Sequence, residues 1–271
     1  KNVEDDNIQY EQINEDEFNK FKFSNKIYNF VELLRYFIHG GKYTTPKNNF
    51  EEIFKNTNFF RKIFFTFLIS LFNNIRFLRK LTLRLTKNFY PSNLDNLINK
   101  LSPDLVLTTS LGTFSFDEFI LRAAKKKNIK NCAVILSWDN TTTRGYASFH
   151  PDRVISWTDI MKNELIKFHD VDEKKIYVGG VAHFDDYYNK KPIPKSKFFE
   201  GLNLDVNKNL ITFFTKGPST FQFNPNITKI ICEAIQNSEI NNSQLITRIH
   251  PLFYKNKNGK PLFGSALSLF E

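Results

Sequence analysis

Ala133-Val134-Ile135-Leu136-Ser137-Trp138-Asp139-Asn140-Thr141-Thr142-Thr143-Arg144-Gly145 is a short apolar run that stops abruptly in polar side chains. Such a run reads as a buried strand that delivers Trp138, Asp139 and Asn140 at its carboxyl end. The earlier stretch Ser102-Pro103-Asp104-Leu105-Val106-Leu107-Thr108-Thr109-Ser110 has the same form: a turn, a leucine and valine run, then hydroxyls. Between the two, residues 116–128 carry Phe116, Phe119, Ile120, Ala123 and Ala124 at helical spacing. Ser115 with Glu118 makes a capping-box pattern at the start of that helix, and Lys125, Lys126 and Lys127 suit its carboxyl end. Strand, helix and parallel strand form a right-handed crossover unit. In an open parallel sheet the carboxyl ends of the strands are where ligands bind.

The pattern continues in both directions. Strands are expected at residues 153–157 and 175–180, joined by a helix over 159–169 with Thr158 as its cap and Ile160, Met161, Leu165 and Phe168 on one face. Upstream, residues 30–38 read as a helix ended by His39-Gly40-Gly41, and residues 93–100 as another with Leu94, Leu97 and Ile98 inward. Downstream, Pro192 and Pro194 among lysines mark a hinge. A second strand, helix and strand then follow at residues 209–215, from Asn224-Pro225 onward, and at 244–251. In that helix Asn224 is the expected cap, Pro225 the first-turn proline, and Ile227, Ile230, Ile231 and Ile235 the buried face.

Four pieces in order, Pro103-Asp104-Leu105-Val106, Ser137-Trp138-Asp139-Asn140-x-Thr142-x-x-Gly145, Asp152-Arg153-Val154-Ile155-x-Trp157 and Val178-x-Gly180-x-x-x-Phe184-Asp185, carry a resemblance. Over residues 100–185, and again near 210–254, the chain resembles GT-B-type transferases. Among these it is most similar to surface-polysaccharide glycosyltransferases, CDP-glycerol glycerophosphotransferases and UDP-N-acetylglucosamine 2-epimerases. The resemblance implies an α/β, GT-B-like fold of two Rossmann-like parallel-sheet domains, the second truncated. Residues 1–188 would be an acceptor-side domain with a helical amino-terminal part, 189–206 a linker, and 207–271 the start of an incomplete nucleotide-donor domain. It also implies that Arg248-x-His250-Pro251 contacts the donor nucleotide or its phosphates.

The residues support a compatible chemistry on their own. Arg248 and His250 alternate with Ile249 at a strand end, so both can point the same way and donate to phosphate oxygens. The helix opened by Asn224 has no acid in its first turn and follows Lys216 and Ser219, which leaves room for an anion. Asp139 either deprotonates an acceptor hydroxyl or caps its own loop, and the sequence leaves both open. Asp117 and Glu118 occupy the positive end of the first crossover helix, so Ser110 there suits sugar hydroxyls better than phosphate. The candidate catalytic residues are thus Asp139 and His250, and the candidate substrate-binding residues Ser110, Trp138, Asn140, Thr142, Lys216, Ser219 and Arg248.

Composition narrows the classes. The chain has 271 residues with 41% apolar residues, enough for real cores. Its net charge of +10 accompanies 30 phenylalanines and many lysines and asparagines, a bias that weakens charge as a functional signal. No arginine-rich arm, zinc-ligand spacing or aromatic RNA-binding strand is present, so nucleic acid is not an expected partner. No metal-ligand spacing occurs either, and the expected chemistry is metal-independent and without a cofactor, fixed dipoles and basic groups stabilising the departing nucleotide. Cys132 and Cys232 lie in separate apolar runs and read as reduced core residues of a cytoplasmic protein. The start at Lys1, the single Met161 and the unclosed last residues read as a fragment.

Residues 59–87 stand apart. From Ile53 to Leu94 there is no acidic residue, while Arg61, Lys62, Arg76, Arg79, Lys80, Arg84 and Lys87 are all positive. The adopted reading is a buried helix followed by a solvated basic one; the alternative is a segment lying on the inner face of an anionic membrane. The functional expectation is a transferase that uses a nucleotide-sugar or nucleotide-glycerol donor and a glycan or lipid-linked acceptor in surface-polysaccharide synthesis. The alternatives are a non-hydrolysing sugar-nucleotide epimerase and a non-catalytic glycan- or nucleotide-binding relative.

Overall fold

The computed structural model describes residues 15–38, 50–52, 54–55, 57–112, 116–217 and 221–251. The expected helix end at His39, the cap at Ser115 and the candidate Ser219 lie outside the described residues. The chain divides into two units, Lys1–His183 and Phe184–Glu271.

Among the described residues of the first unit the sheet is preceded by α1 (Glu15–Ser24), α2 (Lys26–Phe37), a helical stretch at 50–52, α3 (Phe59–Asn74), α4 (Arg76–Thr86) and α5 (Asn93–Leu101). The sheet then runs β1 (Leu105–Thr108), α6 (Asp117–Lys126), β2 (Lys130–Val134), the short α7 (Asn140–Thr143), β3 (Arg153–Ser156), α8 (Asp159–His169) and β4 (Ile176–Val178). Its four strands are parallel in the order β1-β2-β3-β4. All four carboxyl ends therefore leave the same edge.

Register sorts the side chains. Thr108, Ala133, Val154 and Ile176 stand in one row across the sheet, on the face that meets a core of Leu111, Ile135, Ala147, Met161, Leu165 and Val171. The opposite row is more open: Leu105, Leu107 and Tyr177 are exposed, so β1 is not the buried strand its sequence suggests. Thr158 does cap α8 by accepting from the Met161 N–H at 3.2 Å. On that helix Met161, Leu165 and His169 face inward, and Ile160 is exposed. A second core joins α1, α2, α5 and α6 through Phe18, Tyr28, Leu94, Ile98 and Phe119.

Two buried polar clusters tie the helices to the sheet. Glu118, expected to cap α6, is instead buried beneath it, where it accepts from the Tyr28 hydroxyl and from Arg122 Nη2 at 3.3 Å, with Arg35 Nη2 at 3.7 Å. Arg122 also donates to the Phe89 and Ser148 carbonyls at 3.1 and 3.2 Å. A carboxylate can be this deep because guanidinium donors surround it. In the second cluster Asp170 accepts two bonds from Arg79, at 2.8 and 2.9 Å, one from the Tyr146 hydroxyl at 3.1 Å, and an ion pair from Arg76 at 3.1 Å. Beside it His169 accepts the Ala147 N–H at Nδ1 (3.0 Å) and donates from Nε2 to the Thr141 carbonyl (2.7 Å), which fixes a neutral imidazole. Gly145 (φ +74°) lets the chain pass α2, where a Cβ would sit 2.5 Å from the Tyr36 carbonyl oxygen.

Residues 59–87 depart from the adopted reading. α3 buries only Phe65 against Phe37 and Phe54, while Phe59, Phe60, Ile63, Phe64 and Phe67 are exposed. α4 is not a solvated basic helix, because Arg79, Thr82 and Thr86 form its buried side and Asp170 holds it there.

The second unit contains α9 (Asp185–Asn189), α10 (Lys195–Gly201), β5 (Asn209–Phe214), α11 (Asn224–Gln236) and β6 (Ser243–Arg248), with β5 and β6 parallel. Much of the expected linker 189–206 belongs to this fold: α10 lies within it, and the Asp205 backbone exchanges bonds with the Gln244 amide at 3.0 and 2.7 Å. The unit buries little. On α11 Ile227, Ile231 and Ile235 are half-buried and Ile230 is exposed, because a two-stranded sheet offers one helix a narrow face. Cys132 is buried as expected, whereas Cys232 on α11 is only half-buried; both are free thiols.

Candidate functional site

The carboxyl edge of the four-stranded sheet gathers most of the first unit's candidates. After β2 the chain continues through Ile135, whose carbonyl accepts from the Trp157 indole at 2.6 Å, and then turns into α7. Trp138 stands at this turn with 73% of its surface exposed, so most of its aromatic surface is open to solvent. Asp139 is half-buried: its carboxylate accepts the Ser137 hydroxyl at 2.6 Å, and its carbonyl accepts the Thr142 and Thr143 N–H groups at 3.0 Å and the Thr143 hydroxyl at 2.9 Å. The Thr142 hydroxyl bonds back to that same carbonyl at 3.2 Å. Asn140 is 6% exposed, and its amide nitrogen has no hydrogen-bond partner among the described residues. A buried amide left without a partner is costly, so this donor is the unsatisfied group of the site.

At the neighbouring end of β1, Ser110 is buried, donates to Asp117 at 2.9 Å and accepts the Gly112 N–H at 3.1 Å. That hydroxyl is fully used within the loop; the accessible one beside it is Thr109, which bonds Asp117 at 3.3 Å. Burial pushes the Asp117 carboxyl above its ordinary pKa, against the lowering effect of these two hydroxyls.

Two residues missed by sequence reasoning complete the edge. Trp157 follows β3, and the exposed His183 meets its ring at 5.2 Å between centroids. The only sequence signal for His183 was its place between Gly180 and Phe184. Among the described residues no group of three or more His, Cys, Asp or Glu side chains is arranged to hold a metal ion.

In the second unit the strand ends are cross-tied. The Thr215 N–H donates to the Arg248 carbonyl at 3.1 Å, and the Thr215 hydroxyl accepts the His250 N–H at 2.8 Å. Asn224 does not cap α11; its buried side chain clamps the loop before the helix, accepting the Lys216 N–H at 3.2 Å and donating to the Lys216 and Phe221 carbonyls at 3.0 and 2.8 Å. The clamp leaves the Lys216 side chain exposed, as is that of Arg248, whose guanidinium donates to the Ile249 carbonyl at 3.2 Å. His250 is half-buried beside them. Two exposed cations and an imidazole thus flank a helix start that carries no acid in its first turn.

The structure therefore brings the candidates together in two sets. Trp138, Asp139, Asn140 and Thr142 share one turn, next to Ser110 on the adjoining strand, whereas Lys216, Arg248 and His250 belong to the second unit. No protein-family model matches this chain, and no curated protein matches it.

Proposed function

We propose that the chain is part of a GT-B-like transferase that uses a nucleotide-activated donor, glycosyl or glycerophosphoryl, in surface-polysaccharide or related glycan synthesis. The observation that carries this reading is the pair of parallel strand-helix-strand units with different chemistry at their strand ends. One end is aromatic and polar, with Trp138, Asn140 and the half-buried carboxylates Asp139 and Asp117, as suits hydroxyl-rich acceptors. The other carries Lys216, Arg248 and His250 beside a helix start without acids, as suits a diphosphate. In this reading the second unit binds the donor, and Asp139 positions or deprotonates the acceptor.

A non-catalytic glycan- or nucleotide-binding role is the second reading, and one observation favours it. The Asp139 carboxylate already accepts the Ser137 hydroxyl at 2.6 Å within its own turn, as a loop-capping residue would.

The first test is nucleotide binding. Calorimetry with UDP and CDP should give a saturable heat, and His250→Ala should weaken it about tenfold, the scale of one charge-assisted hydrogen bond. No heat with either nucleotide, or an unchanged affinity in the variant, rejects the donor site.

A further inference from the structure

We propose that α3 is a membrane-contact element that seats this protein on the surface of an anionic phospholipid bilayer. A helix apolar all round normally has apolar surroundings all round. α3 has them on one side only: Phe65 reaches the core of Phe37 and Phe54, while Phe59, Phe60, Ile63, Phe64 and Phe67 stand in solvent, Phe60 at 76% exposure. At 100° per residue these five side chains fall on one continuous face opposite Phe65. Part of that face is an open groove, lined among the described residues by Phe59, Lys62, Ile63, Thr66, Phe67 and Ser70 of α3. Contiguous exposed apolar surface of this kind marks an interaction site.

Charge decides the occupant. Arg61 and Lys62 are exposed at the two borders of the phenylalanine face. The adjoining α4 and the residue after it add Lys80, Arg84 and Lys87, with no acid between Glu52 and Asp95. Two copies pairing through this face by a twofold axis would bring like charges together with no carboxylate of the segment to compensate. An anionic bilayer accepts both parts, the aromatic rings at its interfacial zone and the cations at its headgroups. The helix lies on the surface and does not cross: its 16 residues span about 24 Å, less than the roughly 30 Å hydrocarbon core. Among the described residues no helix is long and apolar enough to span. Arg79 is not part of this surface charge, because Asp170 holds it in the core, whereas Arg76 pairs with the same carboxylate but stays exposed; the two anchor the segment to the end of α8.

The experiment is sedimentation of the full chain with vesicles of phosphatidylcholine alone or mixed with phosphatidylglycerol, and it needs no turnover. Binding to the anionic vesicles should exceed binding to the neutral ones at least tenfold and weaken with salt. The triple variant Phe60→Ser, Phe64→Ser, Phe67→Ser should lose at least tenfold in binding, and Arg61→Gln with Lys62→Gln should lose severalfold and flatten the salt dependence. A wild-type readout stands beside these: anionic vesicles should slow tryptic cleavage after Arg61 and Lys62 at least tenfold. Equal binding to both vesicle types, undiminished binding by the folded triple variant, or unprotected cleavage overturns the proposal. So does a wild-type dimer that ignores vesicles and becomes monomeric in the triple variant, which would assign the face to a second copy.

Discussion

Acid should loosen the first unit through His169 well above the pH at which carboxylates protonate. This imidazole is 1% exposed, accepts from Ala147 and donates to Thr141, and its burial pushes the pKa down from 6.5 to about 4. A proton added at Nδ1 would lose the Ala147 bond and place a charge in the core. The unfolded chain takes up that proton near 6.5 and the folded chain does not, so stability is full above 6.5 and falls as pH drops toward 4. From those two values the loss is about 2 kcal/mol at pH 5 for this one group. His150 is also lowered to about 4 by burial, and donates to the His169 carbonyl at 2.7 Å, so it steepens the same slope. Burial pushes the Asp170 carboxyl up, but Arg79, Tyr146 and Arg76 more than offset this, so its contribution is lost only below the ordinary carboxylate range and outside the window. The assay is urea unfolding between pH 7 and 5 followed by tryptophan fluorescence, which reads the first unit alone because Trp138 and Trp157 both lie in it. His169→Gln keeps a donor and an acceptor but cannot titrate. It should be less stable than wild type at pH 7 and show a pH dependence smaller by about 2 kcal/mol over that range. A wild-type stability that is flat from pH 7 to 5, or a variant with the full wild-type slope, refutes the reasoning.

Asp170→Asn should cost about 3 kcal/mol at pH 7 in the same urea assay, since it leaves Arg79 buried without its counter-charge; a loss below 1 kcal/mol would show that water reaches the pair. Gly145→Ala should cost about 2 kcal/mol or more, combining a positive φ with a Cβ forced onto the α2 backbone, and an unchanged midpoint would refute that contact. Asp139→Asn keeps an acceptor for the Ser137 hydroxyl but removes the base. If Asp139 deprotonates an acceptor, turnover by the complete enzyme should fall about a hundredfold with melting temperature unchanged, and near-normal turnover removes it from the catalytic set.

What the sequence makes legible is what has a local period. The strands at residues 105–108 and 153–156, and the helix Asp159–His169 with its Thr158 cap, follow from alternation, helical spacing and a hydroxyl before the first turn. The placement of the candidate site was legible in the same limited way: strand ends announce themselves as apolar runs stopping in polar residues, which puts Trp138 and the stretch from Arg248 to His250 at strand ends. Which of those polar groups are accessible was not. Ser110 and Thr109 look alike in a sequence, and only the turn geometry shows that both hydroxyls bond Asp117 while Ser110 is buried and Thr109 exposed.

The larger failures came where a partner distant in sequence overrides a local pattern. Glu118 fits a capping box by spacing, yet its partner Tyr28 is 90 residues away. α4 shows the same override across a whole helix. Hydropathy would turn Phe77 and Leu85 inward and leave Arg79 in water, but Asp170, 91 residues downstream, draws Arg79 into the core together with Thr82 and Thr86. Once that face is fixed, the opposite one must present Phe77 and Leu85 to solvent, at 62% and 51% exposure. α3 is joined to α4 through the single residue Ile75, itself 41% exposed. The exposed apolar surface of α4 therefore accompanies a buried ion pair: the helix face that carries Arg79 is committed to Asp170, and Phe77 and Leu85 are left in solvent.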